Sequence, residues 1–167
     1  MAGLTTNQKG AIAEAAVIKE AILLGMDVYR PVVEGCRYDL ILDTGSQLLR
    51  TQCKWANREG GVVVVRARTA RTTPRGYVYG TYSSDEVDGI AAWCPDTDAC
   101  YFVPIAEIEG RVAMHLRLQP ARNRQESLVH WASQYRLGAI AQLGERRAGS
   151  AKVEGSSPSS STVEGPL

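Results

Sequence analysis

Four side chains in the first third of the sequence could together bind a divalent cation and act on a phosphate ester. They are Glu14, Asp39, Gln52 and Lys54. Carboxylate and amide oxygens are hard ligands of the kind that Mg²⁺ prefers, and the backbone carbonyl of Cys53 could add another. A lysine amine beside them could position the attacking water or stabilise charge on the phosphate. Such chemistry requires the elements that carry the four side chains to bring them together.

A β-hairpin is predicted from residues 37–43 and 47–55, which are apolar and alternating on either side of Gly45-Ser46. Glycine at the first central position suits a two-residue type II′ turn, and the turn sets the register. The resulting pairs are Thr44 with Gln47, Asp43 with Leu48, Ile41 with Arg50, and Asp39 with Gln52. Because strand residues alternate between faces, Asp39, Gln52 and Lys54 are predicted to share one face. The other face would carry Tyr38, Leu40, Leu42, Thr51, Cys53 and Trp55.

The same hairpin contains D-T-G-S at residues 43–46, which is also the sequence of an aspartic protease loop. Such an enzyme needs two loops, because two carboxylates share one proton across its active site. The chain has one, so a protease would have to be a dimer. Since Asp and Gly are ordinary turn residues, we interpret D-T-G-S as the hairpin turn. A dimeric protease remains an alternative that the Asp43→Asn variant would test.

A helix is predicted at residues 7–24, with Asn7 as its N-cap and Gly25 as its C-terminal stop. Its apolar stripe at helical spacing would consist of Ala11, Ala15, Ile18 and Ile22. Glu14 falls on that stripe, where a carboxylate is costly unless it is paired. We therefore expect the helix to pack near the hairpin and to present Glu14 to its polar residues.

The remaining pattern predicts an α/β fold with a mixed β-sheet. Further strands are expected at residues 28–33, 62–65, 87–94, 100–103 and 111–118, and a closing helix at 123–135. Residues 138–167 are rich in Gly, Ser and Pro, a composition typical of a disordered tail. We predict one folded domain at residues 1–137, followed by the tail at 138–167.

The net charge of +1 hides an uneven distribution of basic residues. Glu59 is the only acid between residues 50 and 75, which include seven basic residues, and four arginines lie in the acid-free stretch 110–125. Such stretches are either solvated faces or a footprint for phosphates. The sequence shows no signal-peptide pattern, no apolar run long enough to span a membrane and no disulfide framework. We expect a cytoplasmic protein with no membrane association.

These features resemble the PD-(D/E)XK nuclease superfamily, in the variant where Gln replaces the acid of the last motif. The similar segments are K-G-x-x-x-E at 9–14, R-Y-D at 37–39, L-L-R-T-Q-C-K at 48–54, Y-x-S-x-E-V-D at 82–88 and Y-F-V-P-I at 101–105. In particular, the chain resembles small intron-encoded homing endonucleases of cyanobacteria. The resemblance extends over about residues 7–135.

The resemblance implies a restriction-endonuclease-like core, a mixed β-sheet flanked by helices. It also implies Mg²⁺-dependent hydrolysis of phosphodiester bonds in double-stranded DNA, with Mn²⁺ as an alternative cation, at a specific homing site. The implied catalytic residues are Glu14, Asp39, Gln52 and Lys54, with the first three and the Cys53 carbonyl as metal ligands. The missing acid at position 52 leaves the number of metal ions open. Since one site cuts one strand, a homodimer or homotetramer is expected.

Basic residues and a tyrosine are expected to contact the DNA. The set is Lys9, Arg58, Arg66, Arg68, Arg71, Arg75, Tyr79, Arg111 and Arg117. Tyr82 is a further candidate for a backbone or base contact, whereas Asp88 is interpreted as structural or adjacent to DNA rather than as a metal ligand. Two alternatives remain on this fold: a noncatalytic DNA-binding relative, and a resolvase or repair nuclease that acts on DNA structure. Cleavage assayed beside binding tests the first, and junction against linear DNA tests the second.

Overall fold

A computed structural model describes residues 3–74, 76–120 and 128–140, without the side chains of residues 70–72. Helix α1 (Thr6–Leu23) is followed by ten strands, a one-turn helix α2 (Ile105–Ile108) after the ninth strand, and a 3-10 turn (Ala132–Tyr135). The strands are β1 (Asp27–Tyr29), β2 (Leu40–Asp43), β3 (Leu48–Trp55), β4 (Asn57–Glu59), β5 (Val62–Arg66), β6 (Thr69–Thr73), β7 (Gly76–Gly80), β8 (Gly89–Cys94), β9 (Ala99–Pro104) and β10 (Ala113–Arg117).

The central element is a five-stranded mixed sheet in the order β1-β2-β3-β8-β9. Strands β3 and β8 are parallel, and the other neighbours are antiparallel. A three-stranded sheet, β10-β5-β4, and a separate two-stranded ribbon, β6-β7, complete the described strands. The predicted α/β class with a mixed sheet is therefore confirmed. Within the described residues, no helix has the length and apolarity needed to cross a membrane.

The predicted hairpin forms as β2 and β3 in the predicted register. Asp43 pairs with Leu48 and Ile41 with Arg50. Gly45 has φ +79°, a conformation that glycine adopts without steric cost, and its N–H donates to the Asp43 Oδ1 at 2.8 Å. The carboxylate of the D-T-G-S segment thus stabilises the turn.

The residues Leu40, Leu42 and Cys53 share one face of the hairpin, as predicted, and that face packs against α1. The prediction for Tyr38 is wrong, because Tyr38 packs against the hydrophobic cluster on the opposite side of the sheet. Strand β2 begins only at Leu40. Strand alternation therefore does not extend to Tyr38.

The N-cap of helix α1 lies two residues earlier than predicted, and the helix buries a different stripe. Its N-cap is Thr5, which forms a capping box with Gln8, rather than Asn7. The buried residues are Ala13, Val17 and Ala21. The predicted stripe is wrong, since Ala11, Ala15 and Ile22 are exposed and Ile18 is only partly buried. Apolar residues occur around most of this helix, so periodicity alone does not identify its buried face. The buried face is the one whose small alanines allow close approach to the sheet.

Two other predicted elements differ from the structure. The strand predicted at 28–33 ends at Tyr29, two residues before Pro31, which cannot donate to a strand ladder. Only residues 128–135 of the predicted closing helix are described, and they are not α-helical. Trp131 is extended and bridges Arg117, and a 3-10 turn follows. Farther on, Leu137 at the end of the predicted domain and Ile140 in the predicted tail are buried in the cluster beneath α1. Residues 141–167 of the predicted tail lie outside the described residues.

Candidate active site

Asp39 lies at the entrance to β2, where it is held by two donors from β3. Its Oδ2 accepts a hydrogen bond from the Cys53 backbone N–H at 2.7 Å and another from the Gln52 side-chain amide. Burial raises the pKa of the Asp39 carboxyl, although the Cys53 N–H, Lys54, Gln52 and Arg30 oppose the rise. The predicted cross-strand contact between Asp39 and Gln52 is therefore present. The two donors fix the orientation of the carboxylate.

Lys54 follows Gln52 on the same face of β3 and is half-buried. Its Nζ lies 5.1 Å from the centroid of the Tyr82 ring. Burial lowers the pKa of the Lys54 amine, and the negative charge of Asp39 acts in the opposite direction. An amine with a lowered pKa beside a carboxylate can exchange a proton more readily than a solvated lysine. The Lys54 ammonium group is thus oriented and partly desolvated.

Glu14 reaches the same cleft from helix α1. Its Oε2 accepts a hydrogen bond from Arg30 Nη2 at 3.0 Å, and its side chain is 31% exposed. Burial and the nearby charge of Asp39 raise the pKa of Glu14, and Arg30 lowers it. Glu14, Arg30, Tyr38 and Asp39 line a cleft of about 390 Å³, together with residues of the 31–36 loop. The predicted approach of Glu14 to the hairpin is therefore observed.

The donors at this cleft suit a hard divalent cation. Glu14 and Asp39 both line the cleft, as does Glu34 of the 31–36 loop, and the carboxylates of Glu14 and Asp39 repel each other through their charges. A cation between them would remove that repulsion. The described residues contain no cluster of three or more His, Cys, Asp or Glu side chains that could hold a metal ion. The remaining ligands would have to be neutral oxygens, of which the Gln52 amide and the Cys53 carbonyl are the candidates.

Gln52 has a second role in the present arrangement. Its Nε2 donates to Asp39 and lies 3.4 Å from the Cys53 carbonyl oxygen. The amide nitrogen, rather than the amide oxygen, is thus directed at the carboxylate. Service as a metal ligand requires the amide to turn so that its oxygen faces the cleft. As it stands, Gln52 orients Asp39.

Two residues of the site, Arg30 and Arg37, were given no role from the sequence, and a third, Tyr82, was given a different one. Arg30 forms the ion pair with Glu14. Arg37 forms a bidentate ion pair with Glu86, with Nε 2.7 Å from Oε1 and Nη2 3.0 Å from Oε2. The Arg37 guanidinium lies 5.0 Å from the Tyr82 ring centroid. The Tyr82 side chain is 5% exposed. Its ring lies between the guanidinium of Arg37 and the amine of Lys54. The expectation that Tyr82 contacts DNA is not supported, because its ring is buried. Arg37 and Tyr82 belong to the R-Y-D and Y-x-S-x-E-V-D segments, which was the available signal.

Arg50 and Asp88 form an ion pair with three hydrogen bonds, named the clamp below. The Asp88 carboxylate accepts from the Arg50 backbone N–H at 2.7 Å, from Nε at 3.1 Å and from Nη2 at 3.0 Å. Arg50 also donates to the backbone carbonyls of Ser84 and Asp85. The clamp joins β3 to the segment that leads into β8. Arg50 is thus occupied within the fold, and Asp88 has the structural role expected of it.

The Asp88→Asn variant is expected to lose stability in a pH-dependent way. Hydrogen bonds from Arg50 hold the pKa of Asp88 below its ordinary value. The charged form therefore stabilises the fold above the unfolded-state pKa, about 4, and this contribution is lost as the pH falls through the lower folded-state pKa. Because both side chains are about one-third exposed, we expect a loss of roughly 1 kcal/mol at pH 7.

Urea unfolding at pH 7 and pH 3 measures this effect. The difference between wild type and Asp88→Asn should shrink at pH 3. Asp96→Asn, in the exposed turn between β8 and β9, serves as the control and should leave stability unchanged at both values. An Asp88→Asn loss that is the same at both pH values would show that the clamp is not held by charge.

The residues expected to bind DNA are mostly at the surface. Arg58, Arg66, Arg68 and Arg111 are exposed, Tyr79 is 55% exposed, and Lys9 and Arg117 are partly buried. Arg66 lies 3.6 Å from Glu59, and Lys9 lies over the Trp55 ring. Arg111 and Arg117 line a second cleft of about 350 Å³ with His115 and His130. Arg75 and the side chain of Arg71 lie outside the described residues.

The fold and the site define the class of protein. A helix packed on a mixed sheet, with two carboxylates at one cleft and an amide and a lysine beside one of them, is the arrangement of a restriction-endonuclease-like hydrolytic domain. The family model described as PD-(D/E)XK endonuclease matches residues 4–138. The chain therefore belongs to the PD-(D/E)XK endonuclease family, and the predicted family, fold and endonuclease function are confirmed.

The chain is also similar to a solved structure, that of the bacterial homing endonuclease I-Ssp6803I. The two are 26% identical with a TM-score of 0.67, and the match covers 90% of this chain and all of that one. No protein of curated function matches the sequence.

Proposed function

We propose that this endonuclease is a site-specific homing endonuclease that hydrolyses phosphodiester bonds of double-stranded DNA with Mg²⁺, or with Mn²⁺ in its place. The observation that carries the proposal is that Glu14 and Asp39 line one cleft, with Gln52 bonded to Asp39 and the charge of Lys54 beside it, in a member of this family. The similarity to I-Ssp6803I along its full length supports the homing assignment. Because DNA is the substrate, we place the activity in the cytoplasm.

The residues of the site fall into two groups in this proposal. Glu14 and Asp39 would hold the cation, together with the Gln52 oxygen and the Cys53 carbonyl. When bound, the cation would supply Lewis-acid chemistry at the phosphate and its leaving oxygen. The Cys53 N–H holds the Asp39 carboxylate in position. Lys54, beside Asp39, positions the attacking water or stabilises the negative charge that develops on the phosphate.

The surface charges supply the contacts to the DNA backbone. We assign phosphate contacts to five exposed or partly exposed basic residues of the predicted set, Lys9, Arg58, Arg66, Arg111 and Arg117. Arg71 and Arg75 stay predictions of the same kind, and Arg68 and Tyr79 stay predicted DNA contacts. Since a chain with one active site cuts one strand, a double-strand break requires a homodimer or homotetramer on a target with matching symmetry.

Cleavage of the protein's own genomic locus tests the function. Two linear duplexes are compared in Mg²⁺, one with the insertion that carries the gene and one with the insertion removed. We expect cleavage at one position of the insertion-free duplex only, abolished by EDTA and restored by added Mg²⁺ or Mn²⁺. Specific binding without cleavage would instead identify a noncatalytic relative. Preferential cleavage of a four-way junction would identify a resolvase or repair nuclease.

A further inference from the structure

The two-stranded ribbon β6-β7 is the part of the described surface with the largest unexplained exposure of aromatic side chains. Tyr77 is 69% exposed, Tyr79 55% and Val78 44%, and every described residue of β7 is exposed. The ribbon belongs to neither of the two larger sheets. Because an isolated two-stranded hairpin is marginally stable in water, such an exposed ribbon is typical of an element that gains a partner.

The tyrosines of the ribbon are already ordered. Tyr77 and Tyr79 alternate with Val78 along β7 and therefore share one face. Their rings are stacked, with centroids 6.4 Å apart and planes at 21°. The Arg68 guanidinium lies 3.6 Å from the Tyr79 ring centroid. The row Arg68–Tyr79–Tyr77 thus has its ring faces partly covered, which favours contacts through ring edges, hydroxyls and guanidinium N–H groups.

The charge of the segment selects the partner. Residues 60–84 include four arginines and no acidic residue. A polyanion is complementary to such a surface. A second copy of the chain is disfavoured, because a two-fold interface would place the same arginine-rich segments against each other. DNA matches both the charge and the mixture of arginine and tyrosine.

The base of the ribbon lies close to Lys54. Gly80 ends β7 two residues before Tyr82, whose ring lies beneath Lys54. Arg37 bridges the two parts, since it donates to the Thr81 carbonyl and pairs with Glu86. A duplex whose phosphate lies at Lys54 would therefore be close to the base of the ribbon. Five residues per strand span about 17 Å, and the B-DNA major groove, about 12 Å wide, admits a two-stranded ribbon.

We infer that β6-β7 enters the major groove of the target duplex and reads base edges through Arg68, Tyr77 and Tyr79. The inference rests on the proposed function and assigns sequence recognition to one element. It separates this ribbon from the other basic residues, which contact phosphates and hold the duplex without reading its sequence. Sequence discrimination should then depend on the row of three side chains, whereas non-specific affinity should depend on the wider basic surface.

Binding of three proteins to two duplexes tests the inference. The proteins are wild type, the double variant Tyr77→Ala/Tyr79→Ala and the control Tyr29→Ala, a tyrosine 50% exposed on β1. The duplexes are the insertion-free locus and a scrambled sequence of the same length, at one salt concentration. In the double variant we expect affinity for the locus to fall about 10- to 100-fold and affinity for the scrambled duplex to change less than about threefold. Tyr29→Ala should change neither.

Methylation interference identifies the groove. N7-methylguanine carries its methyl group in the major groove, so that certain modified guanines should block wild-type binding and cease to block the double variant. An unchanged ratio of locus to scrambled affinity in the double variant would overturn the inference while leaving the nuclease function intact. A smaller oligomer by sedimentation would overturn it in favour of self-association. A wild-type protein that does not distinguish the duplexes would overturn both the inference and the homing function.

Discussion

Lys54→Ala and Asp39→Asn are each expected to reduce DNA cleavage in Mg²⁺ by at least about 10²–10³-fold, the usual effect of removing a group that acts on the developing charge. Lys54 is the only lysine beside Asp39 among the described residues, and its amine is held over the Tyr82 ring. Asp39 provides a cleft carboxylate that two N–H donors orient. Asparagine preserves the shape of that side chain but removes its charge.

Two matched variants separate catalysis from general damage. Asp43→Asn makes the same change in the hairpin turn, where the asparagine side-chain oxygen can still accept from the Gly45 N–H. Lys19→Ala removes an exposed lysine from α1. Both should cleave at the wild-type rate. Because an aspartic protease would lose its activity through Asp43→Asn, that variant also tests the protease alternative.

The measurement is the single-turnover cleavage rate of the insertion-free duplex, with duplex binding in EDTA as the second readout. We expect Lys54→Ala and Asp39→Asn to bind the duplex within about threefold of wild type, since the phosphate contacts are spread over many basic residues. Cleavage by either variant at the wild-type rate would rule out the proposed site. Loss of binding together with cleavage would indicate a folding defect instead.

The hairpin that carries Asp39, Gln52 and Lys54 could be predicted because local chemistry and burial agree there. Gly45-Ser46 specifies a two-residue turn, and the register it sets buries Leu40 and Leu42 against α1. A slip by one residue would expose both leucines. The position of three site residues relative to one another therefore followed from the sequence alone.

The buried face of α1 could not be predicted in the same way. Apolar residues occur around most of this helix, so that periodicity admits more than one face. Ala13 and Ala21 face the sheet because small side chains allow close approach, which is a property of the partner surface. Glu14 borders this face rather than lying on the stripe from which its importance was inferred.

The contacts between distant segments were also beyond sequence reasoning. Arg30 meets Glu14, Arg37 meets Glu86, and the row Arg68–Tyr79–Tyr77 forms only once the ribbon is folded. Each depends on which loops come together in three dimensions. Clustered arginines in the sequence indicated a phosphate-binding surface, but some of them serve the fold. Arg50 is the example, since Asp88 and two carbonyls occupy its donors.

The second large effect is expected on stability, for the variant Gly89→Ala in β8, the strand beside β3. Gly89 begins β8, pairs with Thr51 of β3 and lies under the Phe102 ring. A Cβ at this position would lie 2.2 Å from Phe102 Cζ. Phe102 is 4% exposed and packed beneath α1, so that its ring cannot move aside. We expect destabilisation of roughly 1–3 kcal/mol, at the upper end of that range.

Gly10→Ala is the matched control, because nothing lies within 4 Å of a Cβ at that position in α1. The same substitution there should stabilise the protein by about 0.5–1 kcal/mol through helix propensity. Urea unfolding should therefore give opposite signs for the two variants. Phe102→Leu replaces the ring beside Gly89 with a shorter aliphatic side chain. Its loss of free energy of unfolding should be smaller in the Gly89→Ala background than in wild type. Strict additivity of the two changes would contradict a clash with Phe102. It would instead place the cost of Gly89→Ala in the backbone of β8, the parallel neighbour that supports Gln52 and Lys54.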